Sequence, residues 1–391
     1  MQTLFWISFS LLFYTYIGYG LLLFIYNRIF KEKPSAGAHS LPPVTVVIPA
    51  YNEEYIIRRK IENCLSLHYP KEQIFFLFIT DGSTDNTADI IREYATIQLM
   101  HQAPRGGKSA AINRAMLSVQ TPLVVFTDAN AMLHPQSIEK MVRHFSNPKV
   151  GGISGEKRIA DNSVSAVGFG EKIYWQYESQ LKKANADFYT IIGAAGELFA
   201  IRSALFTPLD EQVILDDFII SARICQQGYR FLYEEEAVAI ETSSATLADE
   251  RKRKIRISAG SFQTLSLLPG LLNPFSNFRV WFQYVSHRVL RWVACPILLP
   301  ALLISSYFLA PAGLFYSVCF WGQVSFYVVA LVGWLQPEKW KNKLLTIPAY
   351  FTFMIFSQYT GFYRHITKKQ TVFWEKAARK NFTEPALRKK V

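Results

Sequence analysis

The chain has 391 residues, half of them hydrophobic, 15% aromatic and only 18% charged, with a formal net charge of +12. That charged fraction lies below the ~25% usual for soluble domains, so an ordinary soluble domain over the whole length is excluded. The basic residues cluster at 251–256 and 364–390, each group beside an apolar stretch. This placement points to anionic lipid headgroups and a phosphorylated substrate rather than to nucleic acid. Cys64, Cys225, Cys295 and Cys319 show no metal-ligand spacing and read as buried free thiols.

Residues 4–26 are almost uninterrupted apolar sequence, long enough to cross a bilayer. They lack a basic start and a small-residue cleavage site, so 1–30 reads as a retained anchor. Arg28, Lys31 and Lys33 follow it and no charged side chain precedes it. The positive-inside rule then puts the N-terminus outside and the middle of the chain in the cytoplasm. Residues 31–43 read as a linker. Beyond it the spacing predicts strands over 44–48, 74–80 and 123–127, and helices over 54–67, 87–94, 108–119 and 135–145. A short strand at 197–201, a helix at 217–227 ended by Gly228, and a strand region at 229–240 follow. Strands alternating with helices predict an α/β fold with a mostly parallel sheet covered on both faces, bounded at 44–256. Residues 257–287 read as an amphipathic segment in the membrane interface. Residues 288–365 read as transmembrane helices at 289–309, 314–335 and 344–363, and 366–391 as a basic tail. One anchor and three such spans would leave that tail outside, against the positive-inside rule.

Three acidic stations carry the candidate chemistry. Asp81 and Asp128 each close an apolar strand, where ligands bind in open α/β sheets, and the pair Asp216-Asp217 opens the 217–227 helix. Each motif has a structural reading when taken singly. The stretch Ala50-Tyr51-Asn52-Glu53-Glu54 is a strand-to-helix turn with Asn52 as cap, the loop after Asp81 has ordinary turn chemistry, and Asp216-Asp217 is a capping pair. Arg105-Gly106-Gly107-Lys108 lacks the first glycine of a P-loop, Gln102 standing there. A lysine and backbone N–H groups at a helix start still suit a diphosphate. Asp128 and Asn130 offer a carboxylate and an amide oxygen to a hard cation, Mg2+ or Mn2+, which shares its other positions with substrate phosphates.

In this order over about residues 42–260, the motifs resemble family 2 glycosyltransferases with a GT-A, Rossmann-like fold. The flanking apolar segments resemble the polysaccharide synthase branch, which makes β-linked polymers such as poly-N-acetylglucosamine, hyaluronan or cellulose. The resemblance implies an inverting transfer from a UDP-sugar to a growing glycan or a lipid-linked acceptor. It implies a multi-pass protein of the inner membrane with its catalytic domain in the cytoplasm, joined by an export partner if a polymer must leave the cell. Residue by residue, it implies that Tyr51, Glu53 and Asp81 hold the uridine and that Lys108 and Arg256 lie near the diphosphate. Asp128 and Asn130 take the two ends of the metal motif. Gly196 and Glu197 fall in a loop near donor sugar and acceptor, and Asp217 matches the general base, with Asp216 beside it.

Three positions depart from the family pattern. Thr80 stands where many relatives have a further aspartate, and Asn130 replaces the second acid of the metal motif. The stretch Arg253-Lys254-Ile255-Arg256-Ile257 keeps the arginine of the processive members' Gln-x-x-Arg-Trp but lacks its Gln and Trp, and that Trp forms a platform under the acceptor sugar. This loss favours a single transfer to a lipid-linked acceptor, whereas the C-terminal spans favour a polymer. Two other classes compete: a non-catalytic nucleotide-binding membrane protein, which would not require Asp217, and a transporter, for which the spans offer almost no charged pathway.

Overall fold

The apolar first thirty residues fold as α1 (Gln2–Phe13) and α2 (Tyr19–Phe30), joined through a wider π turn into one rod. The structure is a computed structural model describing residues 1–30, 41–160, 166–244, 246–336 and 343–373; the expected linker over 31–40 and the basic tail from 374 lie outside them. In β1 (Val44–Ala50), Val44, Val46 and Ile48 turn to one side and Val47 to the other, and all are buried. A strand apolar on both faces belongs in the middle of a covered sheet. Helix α3 (Glu54–Leu65) leads to β2 (Ile74–Asp81), α4 (Thr87–Arg92) to β3 (Gln98–Gln102), and α5 (Lys108–Met116) to β4 (Leu123–Phe126). These four strands pair in parallel, in the order β3-β2-β1-β4.

The second half departs from that regularity. It comprises β5 (Met132–Leu133), α6 (Ser137–Val142), β6 (Val150–Ile159), α7 (Ala166–Phe188), β7 (Phe199–Arg202), α8 (Asp216–Gln226) and β8 (Arg230–Glu241). β7 runs antiparallel to both β4 and β6, while β8 runs parallel to β6 and antiparallel to β5. Among the described residues, four of the seven pairings are parallel. Four elements of the sheet region have no counterpart in the sequence expectations: β3, the two-residue β5, β6 and α7. β3 is an edge strand with little burial. β6 carries Gly151, Gly152 and Gly155 among its ten residues, and glycine weakens any strand signal. A Cβ on Gly152 would come within 2.2 Å of the Phe231 ring, so the residue that blurs the pattern is the one the packing requires. Ile57, Ile61, Ile91, Ile138 and Met141 cover one face of the sheet, and Ala111, Ile112, Ile219 and Ile224 the other.

After the sheet come α9 (Leu247–Leu267), α10 (Phe278–Tyr284), α11 (Cys295–Leu309), α12 (Leu314–Leu335) and α13 (Lys343–Ile366). Among the described residues, three rods are long and apolar enough to cross a membrane: Gln2–Phe30, Phe278–Ala312 and Leu314–Leu335. α13, which covers the span expected at 344–363, is not one of them. It runs parallel to α9 in a fixed register. The Tyr350 hydroxyl donates to Glu250 at 3.2 Å, Gly361 closes against Ser258, and the Phe262 and Phe362 rings lie 5.0 Å apart. The boundary expected at 256/257 falls inside α9, which continues through it. Thr352, Ser357, Gln358 and Thr360 interrupt the apolar sequence of α13, and one side of it packs along α9 while Leu344, Ile347, Phe356 and Ile366 stay exposed.

Candidate active site

The carboxyl ends of β1, β2 and β4 lie side by side, so the loops that follow them meet. Asp81, buried at the end of β2, accepts the Gly106 N–H at 2.9 Å on Oδ1 and the Gly107 N–H at 2.6 Å on Oδ2. Gly107 sits at φ +93°, in the left-handed region that glycine adopts without strain. This clamp sets the start of α5 and aims Lys108 across the site. The Lys108 ammonium lies 2.9 Å from Asp128 Oδ1 and 3.3 Å from Asp216 Oδ2. Burial works against its charge, but Asp128, Asp216 and Asp217 outweigh burial and hold its pKa above the ordinary lysine value.

Asp128 and Asn130 leave β4 in a turn fixed from below. Lys60, fully buried on the apolar face of α3, donates to Thr127 Oγ1 at 3.0 Å and to the Ala131 carbonyl. Burial raises the Asp128 pKa, with Lys108 opposing. Asn130 Oδ1 is buried without a hydrogen-bond partner among the described residues. An orphaned amide oxygen two residues from a carboxylate is a donor set that suits a hard cation with few protein ligands. No cluster of three or more His, Cys, Asp or Glu that could hold a metal occurs among the described residues, so the remaining ligands would have to come from substrate or water.

Tyr51 follows β1, and the Arg105 guanidinium covers its ring at 3.7 Å from the centroid, with Phe373 on the far side at 5.3 Å. Asn52 is not the helix cap expected: it takes φ +53° and accepts the Thr84 N–H at 2.8 Å, while Glu53 immediately precedes α3 and donates its N–H to Thr87 Oγ1 at 2.8 Å. The loops after β1 and β2 therefore lock to each other. Tyr51, Glu53, Asp81, Lys108, Asp128, Asn130 and Arg256 share a narrow hollow of about 60 Å3 that Val372 helps to close.

The second hollow is far larger, a cavity of about 960 Å3 whose wall includes Lys108, Asp128, Gly196, Glu197, Asp216 and Asp217. Asp217 stands in the first turn of α8, where its Oδ1 accepts the Phe218 N–H at 2.8 Å. A Cβ on Gly196 would lie 3.1 Å from Asp217 Oδ2 and 3.7 Å from Lys108 Nζ, so the bare glycine keeps open the space those two groups face. Burial, then the charge of Asp216, pushes the Asp217 carboxyl up to about 7 against the pull of Lys108. Arg256 donates to the Ile214 carbonyl at 3.0 Å and lines both hollows. Ile257, at the place of the missing tryptophan, lines the cavity.

Glu197 reaches this cavity, yet its carboxylate is engaged. Lys157 lies 2.5 Å from both Glu197 and Glu241, and Arg253 binds Glu171 at 2.9 Å and Glu197 at 3.5 Å. Burial would raise the Glu197 pKa, but Lys157 and Arg253 overcome it and hold the group well below the usual carboxylate range. Its carbonyl accepts Thr127 Oγ1 at 2.8 Å, tying the loop to the metal-motif strand. The sequence reading missed Lys60, Lys157, Glu171 and Glu241. The usable signal was a charge on an inward-facing position, such as Lys60 among Ile57, Ile61 and Cys64.

Residues 45–208 match the model of glycosyl transferase family 2. The chain is 27% identical over 262 residues to the poly-beta-1,6-N-acetyl-D-glucosamine synthase of Staphylococcus aureus, covering 63% of this chain and 62% of that protein. It is 25% identical over 280 residues to a probable glycosyltransferase, YdaM, of Bacillus subtilis, covering 66% of each. The chain thus spans somewhat under two thirds of the length of these curated relatives. Among solved structures, a mannosyltransferase of Pyrobaculum calidifontis in complex with GDP-Man and Mn2+ superposes with a TM-score of 0.68 at 22% identity, over 94% of this chain and all of that one. The likeness to that structure is one of fold. It makes this a GT-A fold, within which residues 45–208 are similar to family 2 glycosyltransferases.

Proposed function

We propose that this protein is a membrane-embedded, inverting glycosyltransferase that moves a sugar from a UDP-sugar to a growing glycan or a lipid-linked acceptor. The observation that carries this reading is Asp217. It is a carboxyl pushed up to about 7, set in a large cavity opposite Lys108 and beside an open glycine. A general base works best with a pKa near the operating pH, and inversion needs a base that takes the acceptor hydroxyl proton as that oxygen attacks the anomeric carbon. Tyr51, Glu53 and Asp81 border the narrow hollow on the nucleoside side. A base stacked on Tyr51 would take the place that Arg105 holds over its ring. Asp128 and Asn130 would hold the cation, Mg2+ or Mn2+. When bound, such a cation stabilises charge developing on the departing diphosphate. Lys108 and Arg256, which line the same narrow hollow as Asp128 and Asn130, would hold the negative charge of that diphosphate.

The membrane arrangement fits this assignment. With the N-terminus outside, three crossings return the chain to the side of the globular domain, and α13 then lies along α9 at the interface. Phe373 rests near Arg105 on the domain, on the same side. The described basic residues Arg364, Lys368 and Lys369 then face the cytoplasm, consistent with the positive-inside rule.

The test is a transfer assay on the full-length protein in native membranes with labelled UDP-GlcNAc, UDP-glucose and UDP-glucuronate, with Mg2+ or Mn2+ and with chelator. Metal-dependent incorporation that Asp217→Asn abolishes is the expected result; incorporation unchanged in that variant would remove the assignment. Product size separates a polymer from a short glycolipid, and Ile257 at the platform position favours the latter.

A further inference from the structure

Lys182 is 4% exposed and lines the large cavity. It lies on one face of α7 with Glu178 one turn away and Trp175 two turns away, the spacing that stacks side chains on a helix. Its ammonium sits 5.3 Å from the centroid of the Trp175 ring. Among the described residues it makes no hydrogen bond and no ion pair. The carboxylates whose charge reaches it are Glu178, Glu197 and Glu156, and each is committed elsewhere. Glu178 is bound by Arg288 at 2.8 Å and Arg291 at 3.1 Å, with His287 at 3.2 Å. Glu197 belongs to Lys157 and Arg253. Glu156 accepts from Ser179 at 2.7 Å and from the Tyr233 hydroxyl.

A buried ammonium that no carboxylate neutralises is costly, and cations set within an apolar rod long enough to cross a membrane, as Arg288 and Arg291 are, mark a binding site by default. Around Glu178 the wall carries two guanidinium groups for one carboxylate, so Lys182 adds to an excess of positive charge. The same cavity is lined by Asp217 and by the apolar side chains Ile347, Phe351, Met354 and Ile355 of α13. A neutral sugar chain would leave both the cations and the aliphatic wall unmatched.

We infer that Lys182, with Arg288 and Arg291, forms an anion subsite on the acceptor side of the cavity, which takes the phosphate-type head group of a lipid-borne acceptor whose tail lies against α13. The inference rests on the reading of this cavity as the acceptor site of a glycosyltransferase. The same phosphate chemistry could come from a free ion, and the apolar wall favours the lipid.

The test uses full-length protein in phosphatidylcholine nanodiscs, read by thermal unfolding with hexadecyl phosphate, hexadecanol or inorganic phosphate, and separately with UDP and Mn2+. A ligand bound only by the folded state raises the melting temperature. Hexadecyl phosphate should stabilise the protein where hexadecanol and inorganic phosphate do not. Lys182→Met should weaken that effect about tenfold or more in apparent affinity while raising the ligand-free melting temperature, and Lys182→Arg should retain binding. Equal effects of hexadecyl phosphate and hexadecanol, or undiminished binding by Lys182→Met, would overturn the subsite. Inorganic phosphate acting as strongly as the lipid would overturn the lipid source. The UDP arm keeps the two readings apart: wild-type protein that binds neither UDP nor metal loses the glycosyltransferase reading itself, whereas loss of the hexadecyl phosphate response alone removes only this subsite.

Discussion

The parallel half of the sheet, β3-β2-β1-β4, carries its candidate acids where strands end, whereas the mixed half buries charge inside its packing. Asp81 and Asp128 sit at or just beyond strand ends and turn toward ligand space. Lys157 stands within β6 and is met by Glu197, Glu241 and Glu171 from three other parts of the chain. The first half turns its charge toward a hollow; the second neutralises its own charge within the packing. The same residue type, a lysine with carboxylates around it, therefore has opposite roles in Lys108 and Lys157, and variants of the two sides should behave oppositely.

The largest expected effect is at Asp217. Asp217→Asn should reduce kcat/KM for transfer by about 10²–10⁴-fold while the protein stays folded. A carboxyl whose folded pKa is raised contributes stability at low pH that is lost as pH rises through about 7. Above pH 7, Asp217→Asn should therefore melt higher than wild type, and below the ordinary aspartate range the difference should vanish. A helix-capping role predicts the reverse, with stability lost and transfer kept, so activity and melting temperature measured together decide between them.

Lys108→Met and Lys157→Met sharpen the comparison directly. Lys157→Met leaves Glu197 and Glu241 buried with only the more distant Arg253 beside them, and breaking a buried pair in this way costs about 3–5 kcal/mol. Denaturant unfolding should show that loss, and activity should fall with it. Lys108, partly exposed in its cavity, should behave differently: Lys108→Met should cost roughly 10²–10³-fold in transfer with a much smaller change in unfolding midpoint. If both variants lose stability alike, the two halves are not built on different principles.

How much could be read in advance follows the same division. In the parallel half β1, β2, β4 and the acids are local: apolar runs four to eight residues long end in Asp81 or at Asp128, and the spacing alone finds them, while the poorly buried edge strand β3 carries no such run. Asp216-Asp217 at the start of α8 were legible for the same reason. In the mixed half the information is long-range. Glu171, Glu197 and Glu241 come from separate elements and meet at Arg253 of α9, and nothing in a window around any of the three shows that they meet. Glu197 illustrates the limit: its place beside the cavity was expected, but its saturation by Lys157 depends on β6, a strand that glycines concealed. The same holds for the register of α13 with α9, whose contacts join residues about a hundred positions apart.

The smallest effect is a pH profile, and its direction tests the site as a coupled unit. Asp217 accepts a proton only when ionised, so kcat/KM should fall about tenfold per pH unit below the pKa of the base and level off above about 7. Asp216→Asn removes the like charge that helps to raise that pKa, so its inflection should move to lower pH. Lys108→Met removes the cation that opposes the rise, so the residual activity of that variant should inflect at higher pH. Burial, the largest cause, is common to all three proteins. Opposite shifts from two substitutions on either side of one carboxylate would identify Asp217 as the titrating group. Shifts in the same direction, or none, would assign the profile to another residue and leave Asp217 with only its place in α8.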